Sequence, residues 1–348
     1  MHPFRDGRRQ AEAAPFEILG FHRGSVPGFV AVLLLVLAGL GAAVALPATG
    51  YTQNQAAARH SVTFLPLVMV GARPTATPSP TPSPDQQQIA YLNGYRAQVG
   101  LPALVQNSAW STAAAHHSRY MVQNNQITHV EDPTNPWYTA DGAVAGRDGD
   151  VFASSALNPS WSVPIDNWLT GPFHALWILY PDVSQIGYGT DAETSPGWIQ
   201  MAATLQLTNG GSLGPPNGVV YPIEWPGNGS TVSFTQYEGG ESPDPLTACP
   251  GYTAPSGLPL IVQFAGSVAH VTSSTVSGEA GPVAACAYDQ TTYTNPDPSL
   301  QATARAILAQ GNAVVVIPSQ PLVPGGHYTV TIVTTTQTVT WSFQIAGV

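Results

Sequence analysis

Apolar and polar positions along this chain fall into three regimes. The first is a run from Phe29 to Leu46, eighteen residues without a charge. Roughly 20 apolar residues carry a helix across a bilayer, so the run predicts a transmembrane helix over 26–46. The second regime has helical spacing. Ile89, Leu92 and Tyr95 predict a first helix, ended by Gly100-Leu101-Pro102, because glycine suits a left-handed cap and proline cannot continue a helix. Asn107 or Ser108 caps a second helix, whose inner stripe is Trp110, Ala113, Ala114, His117 and Met121. Residues 163–178 predict a third helical stretch, interrupted near Gly171-Pro172. Strands over 185–188 and 198–207 complete a small antiparallel sheet with helices on both faces. The third regime alternates with a period of two over 231–237, 260–264, 313–317, 328–333 and 339–345. Such short strands between Gly/Pro turns predict an all-β sandwich, with one short helix over 299–309.

These regimes divide the chain into a cytoplasmic segment (1–25), the apolar span (26–46), a stalk (47–85), an α+β domain (86–210) and a β-sandwich (218–348). The stalk ends in Pro74, Pro78, Pro80, Pro82 and Pro84. Prolines at that density make an extended spacer of about 3.1 Å per residue.

Charge fixes the orientation of the span. All ten basic residues are arginine, and Arg5, Arg8, Arg9 and Arg23 precede the apolar run. The positive-inside rule therefore keeps 1–25 in the cytoplasm and puts the rest outside, as a single-pass protein of the cell membrane. Ala43-Val44-Ala45 also fits a small-x-small cleavage site, and cleavage after Ala45 would give a secreted product. The formal net charge is −10, and from Asp85 onward only Arg96, Arg119, Arg147 and Arg305 are basic. A surface this acidic repels phosphate backbones and excludes nucleic acid as a partner. In an exported protein Cys249 and Cys286 form a disulfide; in a cytosolic one they would be free thiols.

The chemistry-bearing residues cluster in the second regime. Ala114-x-x-His117-Ser118-x-Tyr120-Met121 leads to His129, and Trp168-x-x-Gly171-Pro172-Phe173-His174 leads to Ile186-Gly187-Tyr188-Gly189. With Asn93-x-Tyr95-Arg96 and Gly100-Leu101-Pro102-x-Leu104, this order over 86–208 resembles the CAP superfamily of cysteine-rich secretory proteins, antigen 5 and pathogenesis-related proteins, with its bacterial SCP-like members. The resemblance implies an α-β-α sandwich and, in many members, a cleft of two histidines and two acids. By motif position the histidines are His129 and His174, and Asp150 in Gly149-Asp150-Val151 stands for the first acid. The second acid belongs three residues after the helical tryptophan, where this chain has Gly171. Two imidazoles suit Zn²⁺, but a tight zinc site takes four ligands, so His129 and His174 are expected to hold zinc weakly if at all. His117 reads as a satisfied core histidine, His116 as solvated, and Asp148-Gly149-Asp150 as an acidic turn. Leu322-x-Pro324-Gly325-Gly326-His327-Tyr328 resembles the closing hairpin of bacterial Ig-like domains.

Three functions remain in play. One is a membrane-tethered, non-catalytic binding module for a lipid, small molecule or peptide. Another is a metal-assisted hydrolase in which Asp150 is the base. The last is an adhesive protein that makes its contacts through the sandwich. No zinc-protease helix, phosphate loop or dinucleotide fingerprint is present. Gly210-Gly211-Ser212-Leu213-Gly214 matches a nucleophile elbow, but Pro215-Pro216 prevents the helix that must follow it.

Overall fold

The computed structural model describes residues 83–208, 218–266 and 269–347. The apolar span, the cytoplasmic segment, nearly all of the stalk and the Gly210–Gly214 stretch lie outside the described residues. Among those described, no helix is long and apolar enough to cross a membrane.

Helix α1 (Pro84–Gln98) begins at a capping box: Ser83 Oγ accepts from the Gln86 N–H while the Gln86 side chain accepts from the Ser83 N–H. The short strand β1 (Val105–Gln106) leads to α2 (Ser108–Asn124). The Asn107 side chain accepts from the Ala109 and Trp110 N–H groups, and Asn125 closes the helix in the left-handed region. Then follow α3 (Ala140–Arg147), β2 (Gly149–Ser154), α4 (Val163–Thr170), α5 (Pro172–Ile178), β3 (Gln185–Ala192) and β4 (Met201–Gln206). The break between α4 and α5 falls at Gly171-Pro172. The sheet order is β1-β3-β4-β2; β1 runs parallel to β3 and the other pairs are antiparallel. The acidic turn expected at 148–150 is instead the junction of two elements: Asp148 ends α3, and Gly149 and Asp150 pair with Gln206 and Leu205. A ladder partner over fifty positions away makes this strand, and no local period announces it.

Every residue of β4 is buried, because both sheet faces are covered. Ala203 and Leu205 join the core with Ile89, Leu92, Trp168 and Leu169, whereas Ala202 faces Met121, Val122, Val151 and Ile199. On β3 the alternate residues Gly187 and Gly189 lie against α2. A Cβ at 187 would meet the Trp110 carbonyl carbon at 2.3 Å, and one at 189 would meet the Ala115 nitrogen at 2.2 Å. Arg96 is fully buried, its guanidinium donating to the carbonyls of Pro102, Ile178, Tyr180 and Val183. Burial pulls it down to about 10, which leaves it charged at neutral pH.

The remainder is β-rich. Its strands are β5 (Ile223–Trp225), β6 (Thr231–Val232), β7 (Gln236–Tyr237), β8 (Ser256–Gly257), β9 (Leu260–Gln263), β10 (Val271–Gly278), β11 (Gly281–Val283) and β12 (Ala285–Asp289). After α6 (Pro298–Gln310) come β13 (Ala313–Pro318), β14 (His327–Thr334) and β15 (Thr338–Ile345). One sheet has the order β11-β10-β14-β15-β6 and the other β12-β13-β9-β5; β7 and β8 form a separate pair. The single strand expected over 231–237 is two pieces, because β6 joins β15 while β7 joins β8. The disulfide is present: Cys249, after a 3₁₀ turn (Pro245–Ala248), bonds to Cys286 on β12, with the Cα atoms 5.7 Å apart.

The α+β and β-rich stretches share one core. Trp225 packs its ring 5.6 Å from Tyr95 and donates Nε1–H to the Leu169 carbonyl. Phe173 meets Tyr293 edge-on at 5.5 Å, and the buried Gln263 amide donates to the Leu179 carbonyl.

Candidate functional site

His129 lies between α2 and α3, where its Nδ1–H donates to the Gly146 carbonyl over 2.8 Å. Burial pulls this imidazole down to about 4; the hydrogen bonds to Gly146 and Gly149 oppose that pull, and the charges of His174 and His117 add to it. It is neutral at neutral pH. His174 sits in the first turn of α5. Its Nδ1–H donates to Glu241 Oε1 over 2.6 Å, and its backbone N–H donates to the same oxygen over 2.8 Å. Burial works against the imidazolium, but the charge of Asp150 and the bond to Glu241 overcome it, and His174 is pushed up to about 9. Asp150, on β2, is 3% exposed, and its Oδ2 has no hydrogen-bond partner. Burial drives it up to about 7; the charge of His174 holds it down, and that of Glu241 pushes it further up. His174 thus lies within electrostatic range of His129, Asp150 and Glu241, and Asp150 within range of Glu241.

Glu241 is the residue that sequence reasoning missed. It reaches His174 from 67 positions away in the chain. The only local hint was negative: Gly171 stands where the resemblance implies an acid. A Cβ on Gly171 would come within 2.9 Å of Glu241 Oε1, so the glycine leaves the space that the carboxylate uses. The loop carrying Glu241 turns through Gly239 and Gly240, at φ +92° and +94°, which suit glycine. Tyr237 Oη then accepts from the Glu241 N–H. Downstream, Tyr293 Oη donates to the Asp244 carbonyl and Thr247 Oγ1 to that of Thr294.

The other histidines of this half do different work. His117 is fully buried, with Nδ1 2.8 Å from Glu131 Oε1 and Nε2 2.8 Å from the Thr128 carbonyl oxygen. His116 is exposed and meets Asp141 at the surface. As for zinc, no group of three or more His, Cys, Asp or Glu side chains among the described residues is placed to hold a metal ion. One oxygen of Glu241 is committed to His174, while Glu241 Oε2 and Asp150 Oδ2 carry no hydrogen bond.

Helices cover both faces of the β1-β3-β4-β2 sheet, which makes an α-β-α sandwich. Residues 89–199 match the model of the cysteine-rich secretory protein family, and this stretch of the chain is a CAP domain. Among solved structures, the chain is similar to an extracellular protein containing a SCP domain from Bacillus anthracis str. Ames, with 18% identity and a TM-score of 0.28. That match covers 36% of this chain and 40% of the Bacillus protein, so the chain spans less than half of that protein's length. No curated protein matches.

Proposed function

We propose that the chain is an extracytoplasmic, membrane-tethered binding protein whose CAP domain takes a lipid, small molecule or peptide without turning it over. In this reading the β-rich region is an Ig-like support. The observation that carries it is the internal commitment of the site: Nδ1 of His174 is tied to Glu241 and Nδ1 of His129 to a carbonyl, giving a fixed polar floor. Trp137, Trp161 and Trp198 stand 36%, 45% and 50% exposed on the CAP domain and offer amphipathic contact area. The apolar run with arginines before it supports the tether.

One observation favours the hydrolase reading: Asp150 is held at about 7, the range that suits a general base. Its near-complete burial counts against that role, since a base must reach the proton it removes. The deciding experiment incubates the purified protein with host membrane lipids and, separately, with a peptide library, and identifies retained molecules by mass spectrometry. Retention of a discrete ligand, weakened at least tenfold in His174→Ala, is expected. Capture of nothing above background, or hydrolysis that depends on added zinc, overturns the reading.

A further inference from the structure

We infer that Glu241, delivered by the β-rich region, is the positioning residue of His174, so that the CAP cleft is complete only when both parts of the chain have folded together. Three independent features converge on this. One oxygen of Glu241 takes two bonds from a single residue, the backbone N–H and Nδ1–H of His174, so it fixes both the start of α5 and the tilt of the ring. Gly171, which separates α4 from α5, gives that helix start no side-chain cap of its own, and the carboxylate occupies the space that a side chain there would fill. The loop is built to deliver the carboxylate: two glycines at positive φ, the Tyr237 hydroxyl and the Tyr293 clamp on Asp244 all precede or follow Glu241 by a few residues.

The arrangement has a chemical consequence. With Nδ1 holding its proton toward Glu241, Nε2 is the ring nitrogen of His174 left to meet a ligand, and the ring is partly exposed, at 19%. A metal-ligating or catalytic histidine is usually oriented by a carboxylate on its other nitrogen. Here that orienting group comes from outside the CAP domain. Glu241 Oε2 and Asp150 Oδ2 are both buried without hydrogen-bond partners.

The test needs no ligand and so stands apart from the proposed function. It reads the His174 ring by ¹⁵N–¹H NMR in the full chain labelled at histidine. In the parent, a slowly exchanging, downfield Nδ1–H signal is expected. Glu241→Ala should abolish it, and moving the acid back to the helix in a Glu241→Ala, Gly171→Glu double variant should restore it. A purely structural role for Glu241 would not produce that rescue. Should Glu241→Ala fail to fold, the isosteric Glu241→Gln decides: the signal should shift upfield as the charged acceptor is replaced. A His174 signal unchanged in both single variants, or a folded double variant without recovery, overturns the proposal.

Discussion

A fully enclosed imidazole is costly to bury unless its ring nitrogens find partners. His117 finds them in Glu131 and Thr128, whereas His116 and Asp141 pair in solvent. Removing one member of a buried pair strands the other, at a cost of about 3–5 kcal/mol, while an exposed pair contributes about 1 kcal/mol or less. Urea denaturation should therefore show a large loss for Glu131→Ala and little change for Asp141→Ala; equal effects would contradict the assignment. The cleft residues set the pH response. His174, raised to about 9, stabilises the fold fully below its ordinary value of 6.5 and loses that contribution as pH rises through 9. Asp150, raised to about 7, acts in the same direction at lower pH: the folded state holds its proton more tightly, so stability falls from 3.8 up through about 7. His129, lowered to about 4, opposes them on the acid side, since its contribution is lost as pH falls from 6.5 through 4. Melting at constant ionic strength should show Tm declining between pH 6.5 and 9, and Glu241→Gln should flatten that decline.

At the scale of elements, the contact of α2 with β3 depends on two glycines. Gly187 and Gly189 bring the strand backbone against the helix backbone, and the Ile186-Gly187-Tyr188-Gly189 pattern is the visible trace of that approach. Gly189→Ala must push the two elements apart and should cost about 1–3 kcal/mol. Gly94, by contrast, is exposed within α1 with open space at its Cβ position, so Gly94→Ala should stabilise by about 0.5–1 kcal/mol. Opposite signs in parallel denaturation curves are expected, and equal signs would refute the packing argument. Elements with local signals were legible beforehand: the three helical stretches, their caps, and the strands in 260–264, 313–317, 328–333 and 339–345. Helix α3 and strand β2 were not, because Ala140–Arg147 carries two glycines and little apolar stripe, and Gly149–Ser154 becomes a strand only by pairing with β4. Strand β10, rich in Ser and Thr and largely exposed, escaped notice for the same reason.

For the molecule as a whole, Trp225, Tyr95, Phe234, Phe173 and Tyr293 make one interior out of two stretches that the sequence pattern separates. Calorimetry should accordingly show a single transition with matching calorimetric and van't Hoff enthalpies; two resolved transitions would mean that the halves fold independently. The Cys249–Cys286 bond, across a separation of 37, should add about 3–4 kcal/mol, lost in the double serine variant and read by the denaturation midpoint.

Periodicity, caps, glycine punctuation and the two histidine motifs are local properties, and by themselves they determined three helical stretches of the CAP domain, the strands β9, β13, β14 and β15, the pairing of Cys249 with Cys286 in an exported chain, and the candidacy of His129, His174 and Asp150. What lies between distant residues has no local signature. The tertiary structure alone decided that the two stretches share a core. It alone brought Glu241 through the gap at Gly171 to His174, because a hydrogen bond depends on where folding puts the acid and not on its distance along the chain.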